Sequence, residues 1–317
     1  MANNARHNIS RASTILQGSA TNGVYQGGKD GVEWTPTYIW KPTNPIAPLV
    51  FSAALAAGAT SATLSANWAP PSGYYSVTLS TGQVIGALLT QGANTVTFVQ
   101  NTIPQSGGVF TSGAVATAAT ANATVAGVPP VAGSANAYST SAAIAAAGSA
   151  LFSGASVGNV TINGTLYSGV GIPDVPRTVV GAWTTSSTVT VTGFGVYNNL
   201  MTETQTGTSF TGKKAFAVVT SITSSAAITA ATFGTGNALG MPFCCRSGGF
   251  LGAFLNDVAD AGTFVQRDFT FPTSSTTGDT RGTYTPAGSL NGAKFLTIEF
   301  KVEDSTTQIG AFGLTPA

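Results

Sequence analysis

From Pro42 to Pro173 the chain runs for 132 residues without an Asp, Glu, Lys or Arg. A freely diffusing protein normally spreads both signs of charge over its surface, which keeps copies apart. Without charge, two arrangements remain. Either much of this stretch is covered by other chains, or hydroxyls, amides and backbone alone solvate it. The first makes the protein a component of an assembly and is the working expectation. The composition agrees, because only 7% of the 317 residues are charged, against about 25% in ordinary soluble domains.

The charge balance excludes several classes. Net charge is +1, with no Lys/Arg-dense surface to neutralise phosphates, so direct nucleic-acid binding is not expected. A charge-driven disordered tail is equally unsupported. No uninterrupted apolar run of about 20 residues is present, so no membrane span is expected. Residues 1–14 (MANNARHNISRAST) contain no apolar core of a secretion signal. The Asn-x-Ser/Thr triplets at Asn8, Asn122, Asn159 and Asn163 are then chance in a chain rich in Ser and Thr. Cys244 and Cys245 are adjacent. Neighbours on a strand face opposite ways, which disfavours a disulfide between them and predicts one buried and one more exposed thiol.

The pattern along the chain predicts an all-β protein in four parts. Residues 1–49 form an extended N-terminal arm, because Trp34–Pro48 (WTPTYIWKPTNPIAP) interleaves aromatics with prolines that suppress helix. That many large apolar groups must lie on something, either the protein's own body or a neighbouring subunit. Residues 50–103 form a small β-meander, with strands at Ala62–Trp68, Tyr74–Ser80, Gln83–Leu89 and Thr95–Val99 separated by Gly and Asn turns.

Residues 104–173 form a Gly/Ala/Ser/Thr-rich connector or shaft, with a flexible linker as the alternative. Within it, Ala135–Leu151 could be helical on Ala propensity, and Val157–Val170 suggests short strands. Residues 174–317 form a C-terminal β-sandwich or jelly-roll-like domain. Its strands are expected around Thr188–Thr192, Ala215–Ile222, Ala226–Phe233, Leu239–Cys245, Thr263–Phe271 and Phe295–Val302.

The chain carries little recognisable chemistry. His7, its one histidine, sits in the arm, a poor platform for a general base. No cluster of Cys and His suits a metal, and no acidic loop suits calcium. Asp257 and Asp260, in the loop or helical turn Phe254–Gly262, are the best of a weak set of carboxylates for glycoside hydrolysis. Gly212-Lys213-Lys214 and Gly234–Gly240 (GTGNALG) fit no phosphate-binding spacing and read as turns. No cofactor is expected.

The segments Asp174–Trp183 (DVPRTVVGAW), Thr188–Gly193 (TVTVTG), Gly207–Phe216 (GTSFTGKKAF), Gly234–Gly240 and Thr277–Pro286 (TGDTRGTYTP) follow one another in order. Together they resemble the capsid decoration proteins of tailed bacteriophages, also called cement or head-fibre proteins, over residues 174–304. Ala59–Val99 also resembles a small β module of such proteins. The vicinal cysteines and the loop Gly248–Gly262 depart from the pattern.

The resemblance implies a non-enzymatic virion protein on the outer capsid surface, assembled in the host cytoplasm. Its implied partners are the major capsid protein and further copies of itself, commonly as a homotrimer. It brings no catalytic residues. In that setting the arm and the small β domain would clamp the capsid, through Arg6, Arg11, Trp34, Tyr38 and Trp40. The alternative is a receptor-binding or tail-fibre module for host surface glycans, for which Trp183, Tyr197 and Tyr284 could supply an aromatic platform.

Overall fold

The computed structural model describes residues 25–27, 32–34, 37–99, 113–270 and 272–301. Its sheets are built from antiparallel strand pairs, and among the described residues the only helical element is a 3-10 turn at Ser247–Gly249. The all-β expectation holds. The chain divides into two compact units, one of Pro42–Val131 with Leu290–Leu296, the other comprising the remainder.

Near the N-terminus, β1 (Tyr25–Gly27) and β2 (Val32–Trp34) form a two-stranded ribbon. Strand β3 (Thr37–Trp40) lies on the body of its own unit, paired with a strand near the far end of the chain.

The unit containing residues 42–131 is one six-stranded sheet. Its strands are β4 (Ala47–Val50), β5 (Ser61–Thr63), β6 (Gly73–Leu79), β7 (Val84–Leu89), β8 (Thr95–Val99) and β9 (Asn122–Ala126). Their spatial order is β4-β9-β6-β7-β8-β5. Period-2 alternation sets the pleat: Tyr75, Val77 and Leu79 of β6 all point into the core, as expected.

The turn after β6 needs Gly82, whose φ of 83° other residues adopt only under strain. Phe51, Phe98, Val77, Leu89 and Val125 build the core; each large side chain buried there is worth about 1.5–3 kcal/mol. Trp68 and Tyr75 close one end. Their rings meet edge-on at 5.1 Å, and both donate to the Pro71 carbonyl, at 3.3 and 2.7 Å. The first strand is shorter than expected, since regular pairing ends at Thr63.

Residues 113–173 show no free-standing shaft. Residues 113–131 belong to this sheet through β9, which lies between β4 and β6. Residues 132–173 belong to the other unit. There β10 (Ser139–Ile144) replaces the expected helix. Tertiary pairing overrides Ala propensity, because Tyr138 is fully buried and the small residues beside it let backbones approach. Strands β11 (Val157–Ile162) and β12 (Thr165–Gly171) form a hairpin. Its turn residues Asn163 and Gly164 have φ of 49° and 80°, the pair a tight I′ turn requires.

The larger unit is organised by a bent hairpin of β13 (Arg177–Phe194) and β14 (Leu200–Phe216). Ala182 faces Ser209, but the next pairing is Ser187 with Gly207, so the ribbon breaks between them. Trp183 fills the break, is buried, and donates from Nε1 to the Gly207 carbonyl at 2.8 Å. On either side of the break β13 changes partner. Its second half pairs with β15 (Val218–Ser224), and its first half with β16 (Ile228–Gly240). The sheet thus folds over on itself into a sandwich-like architecture rather than a barrel. Val179, Val191, Phe210, Phe216, Ile222 and Phe233 pack between.

Gly212–Lys214 and Gly234–Gly240 lie inside β14 and β16, not in turns. Strand β10 pairs with β16. The remaining strands are β17 (Phe250–Leu255), β18 (Val258–Ala259), β19 (Thr263–Val265), β20 (Thr283–Thr285) and β21 (Leu296–Lys301). β19 and β20 extend the large sheet, and β18-β17-β21-β3 form a four-stranded one. Leu296, Ile298 and Phe300 face inward as expected; Val302 lies outside the described residues. Among the described residues, Leu239–Cys245 and Thr263–Phe271 are strand only at Leu239–Gly240 and Thr263–Val265; Phe271 lies outside them.

Candidate functional site

Of the residues expected to touch a capsid, Arg6 and Arg11 lie outside the described residues, as does His7. Trp34 ends β2. Tyr38 and Trp40 are half-buried in β3. The Tyr38 ring packs on Phe243 at 5.3 Å and on Phe300 at 6.1 Å, so it fastens β3 to its own unit.

The other candidates have structural employment. Asp257 sits with Asn256 in the tight β17–β18 turn, both at positive φ, so the expected loop is a hairpin. The Asp260 carboxylate accepts from the Tyr284 hydroxyl at 2.6 Å and from the Ala287 and Gly288 amides at 3.0 and 2.8 Å. Burial alone would raise its pKa, but these donors outweigh it and hold the group below the ordinary aspartate value. Trp183 and Tyr284 are buried, and the half-buried Tyr197 donates to the Pro242 carbonyl at 2.7 Å. They form no exposed aromatic platform. Both cysteines are free and fully buried. They follow β16 in irregular chain, where the strand alternation that predicted one exposed thiol does not apply. Among the described residues no group of His, Cys, Asp and Glu could hold a metal.

A cavity of about 740 Å³ lies in the larger unit. Its floor is the face of β14-β13-β16 that points away from the core: Thr178 and Val180, Thr211–Lys213, and Gly236–Ala238. Val180 and Thr211 are directly paired across two strands and so share that face. Gly236 keeps the floor open, since a Cβ there would lie 2.4 Å from Thr178 Oγ1. The walls come from 265–269 and 276–285.

Acidic residues tie the walls down. Asp279 accepts the Ala215 amide at 2.9 Å and the Arg281 amide at 2.8 Å. Asp268 accepts the Thr270 and Gly278 amides at 2.8 and 2.6 Å. Burial would raise Asp268, but the two amides outweigh it and keep it below the ordinary value. Lys214 donates its ammonium to the carbonyls of Thr202 and Ser274 at 2.9 and 2.6 Å. Burial pulls its pKa down, against the carboxylates of Glu203, Asp279 and Asp268. Glu203, also buried, is pushed up by desolvation against the pull of the Lys213 and Lys214 amides. Arg267 is buried and lies over the Phe269 ring at 4.8 Å; Arg246 lies over the same ring at 5.1 Å.

Sequence reasoning missed this site because it read its glycine-rich floor segments as turns. The available signal was Glu203, Gln205 and Lys214 in a strand of hydroxyl residues, a pattern that demands internal partners. Compared with known protein families, curated proteins and solved structures, the chain finds no match in any of the three.

Proposed function

We propose that this chain is a non-enzymatic virion structural protein that binds the outer surface of a tailed-phage capsid and stabilises or decorates it. The reading takes the virion setting from the resemblance of residues 174–304. The observation that carries it is the uncharged unit. Lys294 is the one charged residue in Pro42–Val131 and Leu290–Leu296. The unit nevertheless has a closed core, and it exposes Ile46, Val50, Tyr74 and Val84. A folded surface of this kind lacks the charge repulsion that keeps free copies apart and suits burial against partners. Many copies on one shell would add avidity to a modest individual contact.

The test is co-sedimentation of the purified full-length chain with empty capsids assembled without it. Saturable binding supports the reading, particularly if it is weakened by Val50→Lys and Val84→Lys, two exposed strand positions. A chain that remains a soluble monomer and leaves capsids bare overturns it. Sedimentation velocity on the free protein checks the homotrimer.

A further inference from the structure

The charged groups around the cavity are largely spent on the protein itself. Asp268 and Asp279 are each held by two backbone amides, and Arg267 lies against Phe269. Thr276 bonds Ser274 through its hydroxyl at 3.1 Å, but four other hydroxyls of the cavity are not spent. The side chains of Thr178, Thr211, Thr283 and Thr285 line it, and none of them hydrogen-bonds to the protein among the described residues. Apolar surface stands beside them, with Val265 at 55% and Phe269 at 44% exposure. Lys213 and Arg267 balance Asp268 and Asp279 in charge. The volume, about 740 Å³, lies within the roughly 300–1,000 Å³ of small-molecule sites.

A site with unspent neutral donors and acceptors, a patch of aliphatic and aromatic carbon and no net charge selects a neutral ligand. That ligand must be rich in hydroxyls and carry C–H faces. We propose that this cavity is a binding site for a neutral saccharide. Thr178 and Thr211 on the floor and Thr283 and Thr285 on the wall hydrogen-bond its hydroxyls, and Val265 with the part of Phe269 that Arg267 and Arg246 leave exposed receives a sugar C–H face. The proposal does not rest on capsid binding, whose carrying observation is the uncharged surface of the other unit.

The test uses the full-length chain and saturation-transfer NMR with four neutral probes: maltotriose, cellotriose, chitotriose and mannotriose. A sulfated disaccharide is the anionic control. The strongest probe is then titrated calorimetrically against two variants. Thr211→Trp places an indole in the cavity from an exposed strand position. Thr161→Trp makes the same change on an exposed strand position of β11, outside it. Matching melting curves verify that both variants fold.

The expected result is transfer to at least one neutral probe, an affinity loss of about tenfold or more (roughly 1.4 kcal/mol) for Thr211→Trp, and none for Thr161→Trp. Three results overturn the proposal: no transfer to any of the four probes, binding indifferent to Thr211→Trp, or binding of the sulfated control alone that fades with salt.

Discussion

Glu203 accepts the backbone amide of Lys214, eleven residues further along the same strand, at 3.1 Å. Its other oxygen accepts the amide of Lys213 at 2.7 Å. Two successive amides point the same way because β14 is bulged there: Thr211 pairs with Val180, yet Ala215 pairs with Thr178. Among the described residues strand β14 pairs on one side only, and an open edge with free amides invites pairing with another chain. The carboxylate closes part of that edge, and Gln205 does the same for Thr211. Glu203→Gln presents an amide NH₂ to one of the two donors. It is expected to cost about 1–3 kcal/mol, read as a shift in the urea midpoint at unchanged m-value. A variant as stable as the parent would show that the edge does not depend on this carboxylate.

The same cluster sets an acid limb. Asp268 is held below its ordinary value of 3.8. Between its folded value and 3.8 the unfolded chain binds the proton and the folded chain does not. Stability therefore rises with pH there and is lost as acid passes down through the folded value. Glu203 is raised above 4.5 and has the opposite sign: just above 4.5 the folded chain keeps the proton, so stability falls as pH rises. Urea midpoints from about pH 2.5 to about pH 7 should show a shallower acid limb for Asp268→Asn. Glu203→Gln should abolish the decline above it. An acid limb as steep in Asp268→Asn as in the parent would remove Asp268 from the account.

Strand alternation was readable wherever one face is buried and the other wet. Tyr75, Val77 and Leu79 declared their sheet face, as did Leu296, Ile298 and Phe300. The bend was not readable. Nothing local marks Thr184–Ser187 as a break, since these residues also suit a strand. The break follows from Trp183 finding its place against Gly207. Ala-rich residues 135–151 looked helical because propensity is local, while the partner in β16 that pairs with β10 inside that stretch lies some ninety residues away. The cavity stayed hidden because glycine in a strand and glycine in a turn look alike until the close neighbour is known.

Gly234 and Gly82 separate those two uses of glycine. A Cβ at Gly234 would lie 1.9 Å from the Ser134 carbonyl oxygen, and that oxygen also accepts the Thr235 amide at 2.9 Å. The neighbour is backbone and cannot step aside. Gly234→Ala is expected to cost at least the 1–3 kcal/mol, roughly, of an overpacked core. At Gly82 the space is open and only the φ of 83° resists, so Gly82→Ala is expected to cost about 1–2 kcal/mol. Thermal melts should rank the two, with Gly234→Ala the lower. The reverse order would mean that the 134–137 segment does not pack on β16 as described.

Truncation separates what the N-terminal segment does for the fold from what it does for capsid binding. Removing residues 1–45 takes away β3, and with it the pairing of Tyr38 with Phe300 and Trp40 with Ile298. It also removes the Tyr38 ring from Phe243. Each lost backbone bond is worth about 0.5–1.5 kcal/mol net, and the buried Phe300 loses its neighbour, so this variant should melt early. Its failure to bind capsids would then report unfolding as much as a missing anchor. Removing residues 1–36 leaves β3 in place. This shorter deletion should melt close to the parent and lose saturable capsid binding if Arg6, Arg11 and Trp34 anchor the chain. Binding retained at full occupancy would move the anchor out of the first 36 residues and onto the uncharged sheet.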